Sequence, residues 1–174
     1  LTAFEHGPVA QASSGAVGLI DFGTTSTTLS FFNRESLVLM RRFDFGTQLV
    51  LDRVESTLRV DAETAQGILA DAAFDISELL MELTNPIASQ FVVSRDFVER
   101  RENCSVGALF AIGGIALSRA AMLGLEQALG TDIATWNPMA GLVEAPQAFS
   151  EQANTQRWRF AAALGAALAT VEES

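Results

Sequence analysis

Lysine and tyrosine are absent from this 174-residue chain, and cysteine and histidine occur once each. All eleven basic residues are arginines. Without lysine there is no Schiff-base amine, no lysine general base and no phosphate-binding ammonium. His6, the one histidine, lies near the start and gives no basis for a histidine-based triad or a zinc site. Cys104 has no partner for an internal disulfide and reads as a small buried hydrophobe. Long apolar runs are missing too. Val106–Leu117 is twelve residues long and Phe160–Ala169 is ten, short of the roughly 20 needed to cross a bilayer. The start has no basic segment leading into an apolar one, as a secretory signal would. A chain that opens on Leu is expected to be a piece of a longer one.

Positive charge is scarce overall. The net charge is −10 with the acids dispersed, the wrong sign for a phosphate backbone, so nucleic acid is set aside as a partner. Hydrophobic residues at 49% and charged residues at 18% fit one folded domain with a sizeable core.

The expected organisation runs as follows. Residues 1–16 read as a linker or the tail of a preceding element, with little periodicity. Strands are expected near 17–22, 27–32, 37–45, 106–112 and 132–136, the first three joined by short turns as an antiparallel meander. The fourth is nearly all apolar, as in a strand covered on both faces. Between them the period changes to helical. Val50, Val54 and Leu58 form one pattern, and Asp61 caps a second carrying Ala65, Ile68, Leu69 and Ala72. Asp75 with Glu78 resembles a capping box, and Asn85-Pro86 is read as opening a further helix. Ser118 caps a helix with Met122, Leu125 and Leu129 on one face, ended by Gly130. Ala140–Asn154 reads as a loop and Trp158–Val171 as an Ala-rich closing helix. Trp136 and Trp158 are read as packing residues, Arg41/Arg42 as a strand edge, and Arg100/Arg101 as a solvated helix end. The order implies an α/β fold, a five-stranded mixed sheet with helices on its faces. A core of 17–48 and 102–174 would carry a helical insertion subdomain at 49–101.

Two stretches carry the functional question. "GLIDFGTTSTTLSFF" (Gly18–Phe32) places a carboxylate and a patch of hydroxyls at one turn. It reads either as a hairpin tip rich in strand-forming Thr or as a phosphate-facing loop. In the second reading Gly23 lets backbone approach an anion, Thr24 and Thr25 donate hydroxyls, and Asp21 holds a water of a Mg²⁺ shell. Gly113-Gly114 reads either as a strand-to-helix turn or as bare backbone against a base or ribose.

Four motifs in order, "LIDFGTTSTTLSFF", "FDFGTQL" (Phe43–Leu49), "LFAIGGIALSRA" (Leu109–Ala120) and "RFAAALGAALA" (Arg159–Ala169), resemble the second half of the actin-like ATPase (RNase H-like) fold. Within it they resemble the PilM family of type IV pilus assembly proteins, related to the FtsA proteins of cell division. The resemblance implies a second phosphate motif at Asp21, Gly23, Thr24 and Thr25, an adenosine motif at Gly113 and Gly114, and a hinge helix at the end. It implies ATP and Mg²⁺ as cofactors, a cytoplasmic protein peripheral to the inner membrane, and other pilus assembly proteins as partners. It also implies a missing N-terminal half, with the first phosphate loop.

The sequence departs from that pattern at Ala65-Gln66-Gly67-Ile68-Leu69, where the family often has Ala-Glu-x-x-Lys, and at Gly46-Thr47, where it often has Gly-Gly. A leucine makes no charge-assisted hydrogen bond. The expected function is therefore a scaffold of the pilus or a related secretion machine, binding ATP weakly or not at all, without turnover by this chain alone. A working ATPase and an FtsA-like filament protein are the alternatives. A two-metal RNase H-like enzyme would need a carboxylate cluster, and beyond Asp21 none stands out.

Overall fold

The computed structural model describes residues 1–12, 15–70, 74–140 and 157–172, with side chains described over 159–170 in the last stretch. The expected loop over 141–154, the Ala72 position and the Trp158 side chain lie outside the described residues.

Five strands form one mixed sheet: β1 (Ala16–Phe22), β2 (Thr27–Asn33), β3 (Ser36–Phe43), β4 (Val106–Gly113) and β5 (Ile133–Thr135). Their spatial order is β3-β2-β1-β4-β5. The meander β1-β2-β3 is antiparallel, while β4 pairs parallel with β1 and β5 parallel with β4. The expected strands are thus present, with β4 inside the sheet. The third is shorter than expected. It stops at Phe43, and Phe45 is buried beyond it, its carbonyl accepting the Thr27 hydroxyl at 2.6 Å.

Strand alternation divides the core in two. Ala16, Ile20 and Phe22 of β1 join Leu29, Phe31, Leu109 and Ala111 in the larger cluster. That face is covered by α2 (Thr47–Leu58), α3 (Ala62–Ala70), α4 (Ser77–Glu102) and α5 (Arg119–Leu129), whose buried residues belong to the same cluster. Val17 and Leu19 point the other way, with Phe32 and Ile112, under α1 (Thr2–Phe4) and its continuation as a wide π-type turn, Glu5–Val9. The segment read as a linker or tail is therefore helical and packed. Phe4 is fully buried and makes ring contacts with Phe32, Phe110 and Trp136 at 5.1–5.7 Å. Trp136 is a packing residue, as expected. The closing helix α6 (Ala161–Glu172) packs on α1: Gly165 is buried beside Ala3, while Ala162, Ala163 and Ala166 of its small-residue stripe are exposed.

Most expected caps are in place. Asp61 accepts the Thr64 N–H at 2.8 Å, Ser118 accepts that of Ala121 at 3.4 Å, and Gly130 closes α5 with φ 63°. Asp75 sits one residue further out than a capping box requires. It accepts the Ser77 N–H at 3.1 Å, and Ile76 is the residue before the helix.

The expectation for the fourth helix also fails. Asn85-Pro86 opens no helix; Pro86 lies inside the 26-residue α4. A proline there removes one backbone bond at a cost of about 3 kcal/mol. The helix continues because Leu80, Ile87, Phe91 and Val98 are buried on either side of the break. Cys104 is a free, half-buried thiol just beyond that helix.

The β2–β3 turn is unusual. Both its central residues, Arg34 (φ 48°) and Glu35 (φ 66°), are left-handed without being glycine. A two-residue hairpin asks for that conformation at both positions, and Asn-Gly supplies it at least cost. Glu35→Gly is therefore expected to stabilise the chain by about 1 kcal/mol, read as a higher thermal midpoint.

A second prediction concerns α3. Its capping hydrogen bonds hold the Asp61 carboxyl below the ordinary aspartate value of 3.8. A carboxylate with a depressed folded-state pKa contributes stability that is complete above 3.8 and lost as pH falls through the folded-state value. Asp61→Ala should lower the melting temperature at neutral pH, and the gap from wild type should close on acidification. A gap independent of pH would show that the cap contributes nothing through its charge.

Candidate functional site

The site begins where β1 ends. Val17, Leu19 and Asp21 share one face of the strand, so the apolar row terminates in a carboxylate at the sheet's end. The chain turns through residues 23–26, and the Gly23 N–H closes the turn on the Ser26 carbonyl at 3.0 Å. The next element to arrive is α2. Its first amides, Thr47 and Gln48, donate to the carbonyls of Gly23 (3.0 Å) and Thr24 (2.9 Å). The Thr47 hydroxyl also donates to the Gly23 carbonyl at 3.2 Å. Amides at a helix start are natural anion donors. Here two of them, together with the Gly23 N–H, are spent on the protein itself.

The glycine pair at the end of β4 is likewise used by the fold. Gly113 has φ 103°, and a Cβ there would overlap the Phe22 carbonyl oxygen. Only glycine makes that turn without strain. At Gly114 a Cβ would come within 2.7 Å of the Thr47 hydroxyl oxygen. The Thr47 side chain thus stands over the second glycine.

Asp21, Gly23, Thr24 and Gly114 line one cleft of about 420 Å³. Thr25 is exposed at the hairpin tip and Gly113 is buried beneath the turn; neither is among the cleft's lining residues. The cleft also takes in Gln66 and Leu69 of α3, the two positions at which the sequence departs from Glu and Lys. Leu69 is 7% exposed, and its alkyl wall continues into a neighbouring groove of about 400 Å³ lined by Phe74, Met81 and Leu123.

Two polar lining residues, Gln48 and Arg159, were given no role from sequence. Thr47 and Gln48 lie inside the "FDFGTQL" motif, where Thr47 was read only as the missing second glycine. Arg159 precedes α6 and, among the described residues, is the one cationic residue lining the cleft. Nothing in its local sequence distinguishes it from a solvated arginine.

Asp21 keeps solvent access at the rim. The surrounding walls still remove enough water to push its carboxyl above the ordinary aspartate value, chiefly by burial. One carboxylate and a few hydroxyls can hold a hydrated Mg²⁺ only with help from substrate phosphates. Among the described residues no three His, Cys, Asp or Glu side chains gather into a metal site. Among the described residues that line the cleft, the charged side chains are Asp21 and Arg159, and the three backbone donors named above are engaged within the protein.

No family model and no curated protein matches the chain. Solved structures do. A chain of the PilM–PilN type IV pilus biogenesis complex superposes with a TM-score of 0.77 at 21% identity, over 95% of this chain and 48% of that one. Ta0583, an archaeal actin homologue, gives 0.60 at 16% identity, over 92% of this chain and 51% of that one. Component A of the Acidaminococcus fermentans (R)-2-hydroxyglutaryl-CoA dehydratase gives 0.51 at 16%, covering 92% and 67%. The chain thus spans about half the length of the first two. It has the fold of the actin-like ATPases, in the form of a five-stranded mixed-sheet unit similar to one in the PilM–PilN complex.

Proposed function

We propose that this chain is the second half of a PilM-like scaffold, a cytoplasmic component peripheral to the inner membrane that ties together a type IV pilus or related secretion machine. Its partners would be other pilus assembly proteins and the N-terminal half of the same fold. The similarity to a chain of a pilus biogenesis complex supports the setting. Among the described residues no helix is long and apolar enough to cross a membrane.

One observation carries the reading of the site. The cleft that gathers Asp21, Gly23 and Thr24 is walled by Leu69 and Ala70 rather than by a second cation. Phosphoryl transfer rests on positioning and on charge stabilisation around the phosphates. Arg159 alone cannot supply that, so the cleft serves as a remnant that shapes the scaffold. Asp21, Gly23, Thr24 and Gly114 mark where a nucleotide would lie.

Calorimetric titration of the chain with Mg-ATP, paired with a phosphate-release assay, tests this. The expected result is no turnover and a dissociation constant above about 100 μM, a binding free energy weaker than about 5.5 kcal/mol. Low-micromolar binding abolished by Asp21→Ala would establish a working nucleotide site and favour the ATPase alternative. Binding indifferent to Asp21→Ala would place any nucleotide elsewhere.

Asp21 also carries a pH signature. Its folded-state pKa is raised by burial, so the folded chain holds this proton more tightly than the unfolded one. Stability contributed at this position therefore falls as pH rises from 3.8 through the folded-state value. Asp21→Asn should melt higher than wild type at neutral pH, with the difference vanishing on acidification. A variant that melts lower at neutral pH would mean that the ionised carboxylate is held by favourable contacts.

A further inference from the structure

One side chain is wedged between the two backbone walls of the cleft that holds Asp21. The γ-oxygen and γ-methyl of Thr47 would lie 2.7 and 2.8 Å from a Cβ placed on Gly114. No side chain fits at such distances, so the Thr47 γ atoms fill the space directly over the Gly114 Cα. Both residues line the cleft.

That side chain is not free to swing away. Thr47 gives the Gly23 carbonyl two donors, its backbone N–H at 3.0 Å and its hydroxyl at 3.2 Å. A β-branched residue has few side-chain rotamers, and this grip selects one. The backbone behind it has no room to retreat. A Cβ at Gly46 would overlap the Thr24 carbonyl oxygen, and the Gln48 N–H holds that same carbonyl at 2.9 Å. Gly114 is fixed from the other side, its N–H donating to the Phe22 carbonyl at 3.3 Å. The start of α2, the hairpin and the end of β4 are thus locked together with the Thr47 γ atoms in the seam.

Charge governs whether phosphates are held, but an uncharged ring with polar edges needs something else. It needs a close apolar surface and a few well-placed polar groups. Leu51, Leu69 and Leu117 supply the first, and Gln48 and Gln66 the second. Bare glycine backbone is where such a ring could approach most closely. That backbone is the part Thr47 covers.

We propose that Thr47 sets what this cleft admits: its γ atoms shut the Gly114 backbone against a nucleoside, and a smaller residue at position 47 opens it. The proposal rests on the reading of the cleft as a remnant of a nucleotide site, and it assigns the exclusion of the nucleoside to one side chain.

Titration of the full chain with adenosine, followed through its amide resonances, tests this. Adenosine carries no phosphate, so the outcome does not turn on the charges of the cleft. Wild type should show no saturable shift at Gly114 at millimolar adenosine. Thr47→Ala removes both γ atoms and keeps a good helix former. It should show saturable shifts at Gly114 and Leu117, with an affinity at least about tenfold above wild type. Thr47→Val keeps the bulk without the hydroxyl and should behave as wild type. Thr47→Ser loses only the methyl, should fall between, and carries the comparison if Thr47→Ala does not fold. The proposal is overturned if wild type already binds adenosine at Gly114, or if the smaller residues bind it no better than wild type. It is also overturned if Thr47→Val binds as well as Thr47→Ala, because bulk would then not be the barrier. Mg-ATP binding by wild type that Asp21→Ala abolishes, with adenosine still excluded, would defeat the scaffold reading and leave this one standing.

Discussion

The rest of the chain is arranged around β1. Its backbone is hydrogen-bonded to β2 on one side and to β4 on the other, and its side chains enter both hydrophobic clusters. Ile20 and Phe22 are in contact with the helical layer, and Val17 and Leu19 with the layer holding Phe4. A strand in that position has no solvent face, and its polar residues are confined to its ends. Asp21 is where that constraint relaxes. The carboxylate of the site is placed by the same alternation that builds the core, one step beyond the last buried residue of its row.

The hairpin that follows is tied to the start of α2. Its carbonyls are turned toward α2 and take the first amides of that helix. Gly113 and Gly114 allow close approach, yet what approaches is the chain's own Phe22 carbonyl and Thr47 side chain. Small residues and hydroxyls at such a turn follow from internal packing as directly as from a ligand. Among the described residues the charged groups lining the cleft are one aspartate that is harder to ionise for being crowded and one arginine.

Much of the fold was legible in the sequence because its signals are local. The β-branched and aromatic residues of β2, the unbroken apolar run of β4, the Asp61 and Ser118 caps and the Gly130 stop each act within a turn or a strand. The positions Gln66 and Leu69 were also found from sequence, and they do border the cleft. What escaped depends on distant partners. Pro86 signals a helix start by itself, and only buried residues on both sides carry α4 through it. Residues 1–12 have weak periodicity because one side chain, Phe4, does most of their anchoring. Arg159 reaches the cleft from the far end of the chain, so no spacing rule connects it to Asp21. The Arg34-Glu35 turn was recognised as a turn, but its left-handed geometry is imposed by the strands it joins.

The pairing of β1 with both neighbours also sets an order of assembly. β2 and β3 follow β1 directly, so the meander closes through short loops and can form as soon as those residues are available. β4 is different: residue 16 is matched to residue 106, with the whole of α2, α3 and α4 between them. Loop-closure entropy makes that contact slow relative to the hairpins. During synthesis the second edge of β1 must stay open until three helices have emerged. The nascent meander then carries two unpaired edges, of which the arginine-bearing β3 is one. The other is the apolar margin that β4 will occupy, and for that interval it is the stretch of this chain most exposed to wrong partners.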